Sequence, residues 1–454
     1  METLSGIPFM ALEYDQRGAP TSIALEALQR HVQSARTTDL LMIAHGFRSS
    51  AVDAYDLYAR FLQNFNAHIT DTELAPALGS RTFAVAGIFW PSKAFSEGPS
   101  QGDGQAQRIV ERDETALEDA RAELTVLRND VVTAEQRGTV DRALALLDQL
   151  ETSMDAQDEF VALLLSLAGD ADADPTEGFD EVIAQRGSDL FAKLAAPMLL
   201  PTVRRDGDGG VTTVDRVSGF RIGGDNNGNG TPLFIGGTLK SILGRVGRVL
   251  NLATWYLMKN RSGTIGVHGI APAVRALKAR HSALRVHLIG HSLGGRCMTA
   301  CATALCTEPV VRIDSLSLLQ AAFSHYGLSD DNGHGDRGFF RDVIEHGIVR
   351  GPFISTYSYQ DTVVGTAYAI SSRLAGDNVK AVGDEDDQYG GIGRNGTQRT
   401  RESTSQPLDA VGTRYSYLPR VVNNLDGSGG RIVSHSDVTN AEVTYAVACA
   451  VAET

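Results

Sequence analysis

Val286-His287-Leu288-Ile289-Gly290-His291-Ser292-Leu293-Gly294-Gly295 is the stretch on which the reading of this chain turns. Val286 to Ile289 is a short apolar run whose β-branched members suit a buried strand. Residues 296–305 behind it are alanine-rich and suit a helix. A serine between glycines at a strand-to-helix turn is the nucleophile-elbow pattern. So sharp a turn leaves no room for bulky flanks, and it lifts the serine hydroxyl above the sheet edge, where a base can reach it. A Gly-x-Ser-x-Gly string alone arises by chance in many proteins. Here the strand before it and the helix after it give it weight.

Outward from the serine, the two flanks of the chain alternate between strand and helix patterns. Residues 9–14 read as a first strand, broken by the turn residues of 15–20. A helix follows to about Arg36, with Thr21 or Ser22 as its cap. Residues 40–44 are unbrokenly apolar, as in a strand covered on both faces, and end in His45-Gly46-Phe47-Arg48. A helix over 51–67 and a strand over 82–89 follow, ending at Trp90-Pro91-Ser92. On the other flank, helices are expected over 239–260 and 266–281. Strands are expected at 315–319, 353–358 and 416–422, with 423–430 as a turn region and a final helix over 437–451. This alternation predicts an α/β fold with a mostly parallel central sheet flanked by helices.

Residues 96–235 break the alternation. Residues 105–138 and 139–168 read as two long helices joined at Arg137-Gly138-Thr139. The first carries Val110, Leu117, Leu124 and Val131 at seven-residue spacing. The second carries Val140, Leu144, Leu147, Leu150 and Met154. Facing apolar seams predict an antiparallel helical hairpin packed on itself. The domain division expected is therefore 1–95 and 236–454 as the core, with 96–235 as a helical insertion carrying glycine-rich loops. Loops 206–210 and 225–230 hold oxygen ligands of the kind calcium takes, but neither has the full EF-hand pattern; surface turns are the plainer reading.

The chain has 454 residues, a formal net charge of −14 and 42% hydrophobic residues. That supports a sizeable core and disfavours nucleic acid and anionic lipid surfaces as partners. No stretch of about 20 residues is apolar and free of charge, so no transmembrane segment is expected. The first fourteen residues do not read as a signal peptide. Cys297, Cys301 and Cys306 crowd onto one expected helix, unlike a disulfide framework. With Cys449 they read as reduced core thiols of a cytoplasmic protein, ahead of a zinc site.

A serine hydroxyl needs a base to take its proton, and the base needs an acid to orient it and stabilise its charged form. An elbow serine of this kind is followed along the chain by the acid and then by the histidine. Asp361 sits just past an expected strand. His435 is the one histidine after it, and it lies ahead of the terminal helix. If Asp314 or Asp330 were the acid, His334 and His346 would reopen. Asp361 also fits a helix cap, and His435 a helix-end residue. The oxyanion needs two preorganised donors. Leu293 N–H is one, and Phe47 N–H, or Arg48 one residue along, is the second. His45, Gly46, His291 and Trp90 are candidate substrate-side residues. His45 and His291 read as shapers of their loops, not as bases, and Trp90 more as packing than as contact.

Taken together, His45-Gly46-Phe47, the Gly290–Gly295 hexapeptide, Asp361 and His435 resemble the α/β-hydrolase superfamily. The Gly-His-Ser-Leu-Gly-Gly form looks like that of lipases and esterases. Joined to Trp90-Pro91-Ser92, the His45-Gly46-Phe47 loop also looks like that of a bacterial group of these hydrolases. The resemblance covers about 7–95 and 236–454. It implies the α/β-hydrolase fold, a Ser292-His435-Asp361 triad and no cofactor. The expected activity is hydrolysis of a small-molecule or lipid carboxylic ester. Phospholipase or thioesterase chemistry would use the same triad, and a non-catalytic scaffold is the rival from another class. Inserted segments in this superfamily often cap the site. The expectation for 96–235 is such a cap, with 190–200 as an apolar wall. Its rival is a docking arm, 105–168, for a protein partner or a second copy.

Overall fold

The computed structural model describes residues 2–71, 73–78, 81–92, 113–169, 175–195, 202–205, 211–214, 242–333, 335–375 and 387–454. The chain divides into two compact units. One comprises Met1–Ser92, Arg261–Gly365 and Gly390–Thr454; the other comprises Lys93–Asn260 and Thr366–Tyr389.

In the first unit, nine of the described strands form one sheet. They are β1 Glu2–Leu4, β2 Ile7–Glu13, β3 Asp39–Ala44, β4 Phe83–Phe89, β5 Arg285–His291, β6 Ser315–Leu319, β7 Phe353–Tyr357, β8 Ser403–Pro407 and β9 Val422–Asp426. Their spatial order is β1-β2-β4-β3-β5-β6-β7-β9-β8. Every neighbouring pair is parallel except β1 with β2. The helices that concern the site are α1 Ala24–Ser34, α2 Ala51–Asp71, α3 Ala271–Arg280, α4 Leu293–Ala304, α5 Thr362–Ala375 and α6 Ala441–Ala452. This is an α/β arrangement with a mostly parallel sheet and flanking helices.

The strand order sets where a ligand can sit. After β3 the chain moves toward β4, and after β5 it moves the opposite way, toward β6. Two adjacent parallel strands whose following segments diverge leave a crevice beyond their carboxyl ends. The loops that open there begin at His45 and at Ser292.

Burial explains the sequence patterns. All six residues of β3 are buried. α6 is buried from Val443 to Val451, as an all-apolar helix must be. It packs in one core with Tyr58, Phe61 and Phe65 of α2. Each such large side chain contributes about 1.5–3 kcal/mol by leaving water, an upper bound because the unfolded chain is already partly collapsed. His68 of α2 ties the two helices by hydrogen bonds from Nε2 to Ala441 O and Thr444 Oγ1.

At the amino-terminal edge of the sheet, Asp39 is fully buried. His287 Nε2 lies 3.1 Å from its Oδ1, and His287 Nδ1 lies 2.8 Å from Ser315 Oγ. Arg81 and Arg285 also face Asp39. Burial pushes the Asp39 carboxyl up, but the His287 and Thr38 hydrogen bonds and nearby positive charge outweigh it, and the net shift is downward.

Several expectations are corrected. The strand expected at 416–422 lies at Val422–Asp426, inside the segment read as a turn. Its Asn-Asn pair is satisfied by side-chain bonds: Asn423 Nδ2 donates to Phe353 O, Leu418 O and Val421 O. Asn424 bonds Thr397 through both ends of its amide. β8 is a further strand, formed from the polar residues Ser403–Pro407. β1 is added through a two-residue turn, Ser5-Gly6, with φ of 49° and 86°, the left-handed pair that hairpins favour. At α1 the residue at the cap position is Ile23; Ser22 Oγ accepts Ala24 N–H, while Thr21 Oγ1 faces Glu13. The final helix begins at Ala441, capped by Asn440, so the loop holding His435 is longer than expected.

In the second unit, three helices stand where two were expected: Asp113–Asp130, Ala134–Leu146 and Met154–Ser166. The first break falls at 131–133, and Arg137-Gly138-Thr139 is helical. Thr133 and Gln136 form a reciprocal capping box, a Thr-x-x-Gln signature that stops one helix and starts the next. The expected stripe survives in part: Leu124, Val131, Val140, Leu147 and Leu150 are buried, while Met154 is exposed. Residues 105–112, 196–200, the two candidate calcium loops and His334 lie outside the described residues. Among the described residues no helix is long and apolar enough to cross a membrane.

Candidate active site

Ser292 follows the last residue of β5 and precedes the first residue of α4. Its backbone sits at φ 56°, ψ −126°, a sparsely populated conformation that costs about 1–3 kcal/mol. The surroundings hold it there. Ser292 N donates to Leu319 O, and Ser292 O accepts from the N–H groups of Gly295 and Ala322. The glycines are required by contact as much as by conformation. A Cβ at Gly290 would lie 2.3 Å from Gly294 O, and one at Gly294 would lie 2.3 Å from Ala44 O. Both clashes are with backbone, which cannot swing aside.

Asp361 stands four residues beyond β7 and is fully buried. Its two oxygens divide their work. Oδ1 accepts the Val363 and Val364 N–H groups at 3.1 and 3.0 Å, capping α5. Oδ2 lies 2.7 Å from His435 Nδ1. The cap and the acid, alternatives in the sequence, are thus roles of one side chain. A carboxylate only accepts, so His435 carries its proton on Nδ1 and leaves Nε2 with the lone pair a base needs. The His435 loop is braced from within, because Asp437 Oδ2 accepts the N–H groups of Val433 and Ser434.

The loop after β3 comes right up to the serine. A Cβ on Gly46 would lie 2.6 Å from Ser292 Cβ and 3.1 Å from its Oγ. Ser292, Asp361, His435 and Gly46 therefore gather at the carboxyl ends of β3, β5, β7 and β9, all in the first unit. No family model, curated protein or solved structure matches the chain. What the site does must therefore be argued from its own geometry.

Of the two candidate second oxyanion donors, Phe47 directly follows Gly46, and Arg48 N–H donates to Ser92 O at 2.9 Å. Leu293 opens α4, where backbone N–H groups have no intrahelical acceptor. Among the described residues no hydrogen bond joins Ser292 Oγ to a side chain. Catalytic hydrogen bonds are often open before substrate arrives. The other candidate acids lie elsewhere. Asp314 pairs with Lys278 and is level with Val286, six residues and roughly 20 Å of strand from Ser292. Asp330 pairs with Arg401. His346 is exposed and faces Asp342 O.

His45 and Trp90 build the wall of the Gly46 loop. Their rings stack at 5.5 Å, and Trp90 Nε1 donates to His45 O at 3.1 Å. His45 Nε2 accepts Trp90 N–H at 3.4 Å, so the ring proton sits on Nδ1 and is donated to Gly46 O at 3.0 Å. Tyr58 OH accepts His45 N–H and donates to Ile88 O. His291 Nε2 lies 3.1 Å from His435 O; a carbonyl only accepts, so this nitrogen is protonated.

Burial pushes the His45 pKa down to about 4, below the ordinary value of about 6.5 for an unfolded chain. Above pH 6.5 the ring is neutral in both states. As pH falls from about 6.5 to about 4, the unfolded chain gains a proton that the folded ring refuses. Stability is therefore lost over that window, by up to about 3 kcal/mol. Burial shifts His291 and His68 in the same direction. The unfolding midpoint is expected to fall between pH 7 and pH 4.5, with a shallower slope in His45→Gln. Equal slopes in the two proteins would contradict the assignment.

Among the described residues no group of three or more His, Cys, Asp and Glu side chains is placed to hold a metal ion. The four thiols are unpaired. Burial pushes Cys306 and Cys449 up to about 12 and the other two further, so none is poised as a nucleophile. Sequence reasoning missed Gln320 and Asp437. Gln320 carried a signal, being a polar residue directly after the strand next to the nucleophile strand.

Proposed function

We propose that this protein is a serine hydrolase of the α/β-hydrolase type that cleaves carboxylic esters. The observation that carries this reading is the strained Ser292 turn beside a buried Asp361 that holds the part-exposed His435, whose Nε2 is left as the base. In the reaction, Ser292 Oγ attacks the ester carbonyl carbon as its proton passes to His435 Nε2. The Leu293 and Phe47 N–H groups stabilise the oxyanion. Collapse breaks the bond to the leaving alkoxide, which takes the proton from Nε2. Water then attacks the acyl-enzyme with His435 as base. The acid departs, and Ser292 regains its proton. Asp361 holds the imidazole in its working tautomer and offsets its charge.

The test is covalent. A fluorophosphonate probe should add to the protein once, and peptide mass mapping should place the adduct on Ser292. An adduct on another residue, or no adduct on folded protein, would sink the reading. A panel of short and long esters, thioesters and phospholipids then sorts the substrate class.

A further inference from the structure

We infer that Gln320 and His291 are positioning residues that clamp the main chain of His435, and so set where its imidazole meets Ser292. The inference rests on the serine hydrolase reading. Gln320 is fully buried, directly after β6, with φ 39°. Its backbone N–H meets Thr356 O and Thr356 Oγ1 at 3.2 Å each. Thr356 Oγ1 donates to its side-chain Oε1 at 3.0 Å. With that oxygen engaged, Nε2 faces His435 O at 3.1 Å and Ser434 O at 3.4 Å. Two carbonyls accept and cannot donate, so the amide has one sensible orientation. His291 Nε2 donates to the same His435 O at 3.1 Å.

The clamp supplies what Asp361 does not. Asp361 fixes one ring nitrogen, but a ring held at one nitrogen can still pivot if its backbone shifts. Donors from β5 and from the end of β6 converge on one carbonyl oxygen and fix the other end of the residue. Both come from segments that also hold the serine: His291 precedes it, and Leu319, which accepts Ser292 N–H, precedes Gln320. Nucleophile and base are thereby referred to the same pair of strands. A misplacement of about 1 Å in such a pair can cost on the order of 100-fold in rate.

Gln320→Met keeps the bulk and removes the donor; His291→Leu removes the other donor. In Gln320→Met the rate constant for fluorophosphonate labelling is expected to fall about 10- to 100-fold, with kcat on a p-nitrophenyl ester falling in step and KM little changed. The final labelling stoichiometry should stay at one, and His291→Gln, which restores a donor, should recover much of the rate lost in His291→Leu. A merely structural role would lower stoichiometry and leave the labelled fraction reacting at the wild-type rate; that outcome overturns the inference. If Gln320→Met fails to fold, the His291→Leu and His291→Gln pair decides on the same readouts. An adduct off Ser292 in the wild type sinks the hydrolase reading. An adduct on Ser292 with wild-type rate constants in both donor-less variants sinks the clamp alone.

Discussion

Asp361→Asn is expected to slow ester hydrolysis by about 10,000-fold and to leave the unfolding free energy within about 1 kcal/mol of wild type. The split follows from the two oxygens of Asp361. An asparagine still offers Oδ1 to the Val363 and Val364 N–H groups, and asparagine is as good a helix cap as aspartate. Its other end becomes an NH2 group facing His435 Nδ1. That donor is met only if Nδ1 gives up its proton, which forces the proton onto Nε2, where the base should be. Asp361→Ala should lose a comparable rate and also the cap, lowering stability by about 1 kcal/mol more. Steady-state kinetics and thermal unfolding of both variants separate the effects. An Asp361→Asn protein within tenfold of wild-type kcat would remove Asp361 from the reaction.

Gly46→Ala is expected to lower kcat by about 100- to 1,000-fold, the size seen when one oxyanion donor is lost. The new methyl would sit 2.6 Å from Ser292 Cβ, a separation that non-bonded carbons do not tolerate. Ser292 cannot yield, because its turn is held by Leu319, Gly295 and Ala322. The loop must move instead, and Phe47, the next residue, moves with it. His45 resists, being pinned by Tyr58 and Trp90, so some stability is lost as well. Gly138→Ala, where nothing lies within 4 Å of the added carbon, is the control and should be neutral or slightly stabilising. Kinetics with circular dichroism decide the matter: a kcat within threefold of wild type would mean Gly46 does not set the donor.

What could be read from the sequence was what local sterics dictate. The elbow was legible because Gly290 answers to Gly294 four residues on, although Gly294 itself answers to Ala44 on the neighbouring strand. The apolar strand at 40–44 was legible because both faces are covered, so no polar residue interrupts it; 315–319 was legible by its leucines, although Ser315 and Ser317 are buried within it. β9 was not, because Asn423 and Asn424 look like turn residues until partners such as Phe353 and Thr397 are known. The break at Thr133 was visible as a capping box and lost to the pull of Gly138, which a packed helix accommodates at a cost of about 1 kcal/mol. The contact between Gln320 and His435 spans 115 residues of chain, and no local pattern announces such a pair.

The buried Ser315, His287 and Asp39 at the opposite edge of the sheet bring the same three residue types together. By bond count this set is the better made, since both imidazole nitrogens have close partners. That completeness makes it inert. Its hydroxyl is fully buried, and its acid takes the imidazole's Nε2, the position left as the lone-pair nitrogen in His435. At the other edge, Ser292 Oγ has no side-chain partner among the described residues, and its backbone is held in strain. One sheet thus carries a finished and an unfinished version of one constellation. In the finished set the bonding capacity goes to cohesion; under the hydrolase reading proposed above, the unfinished one serves turnover.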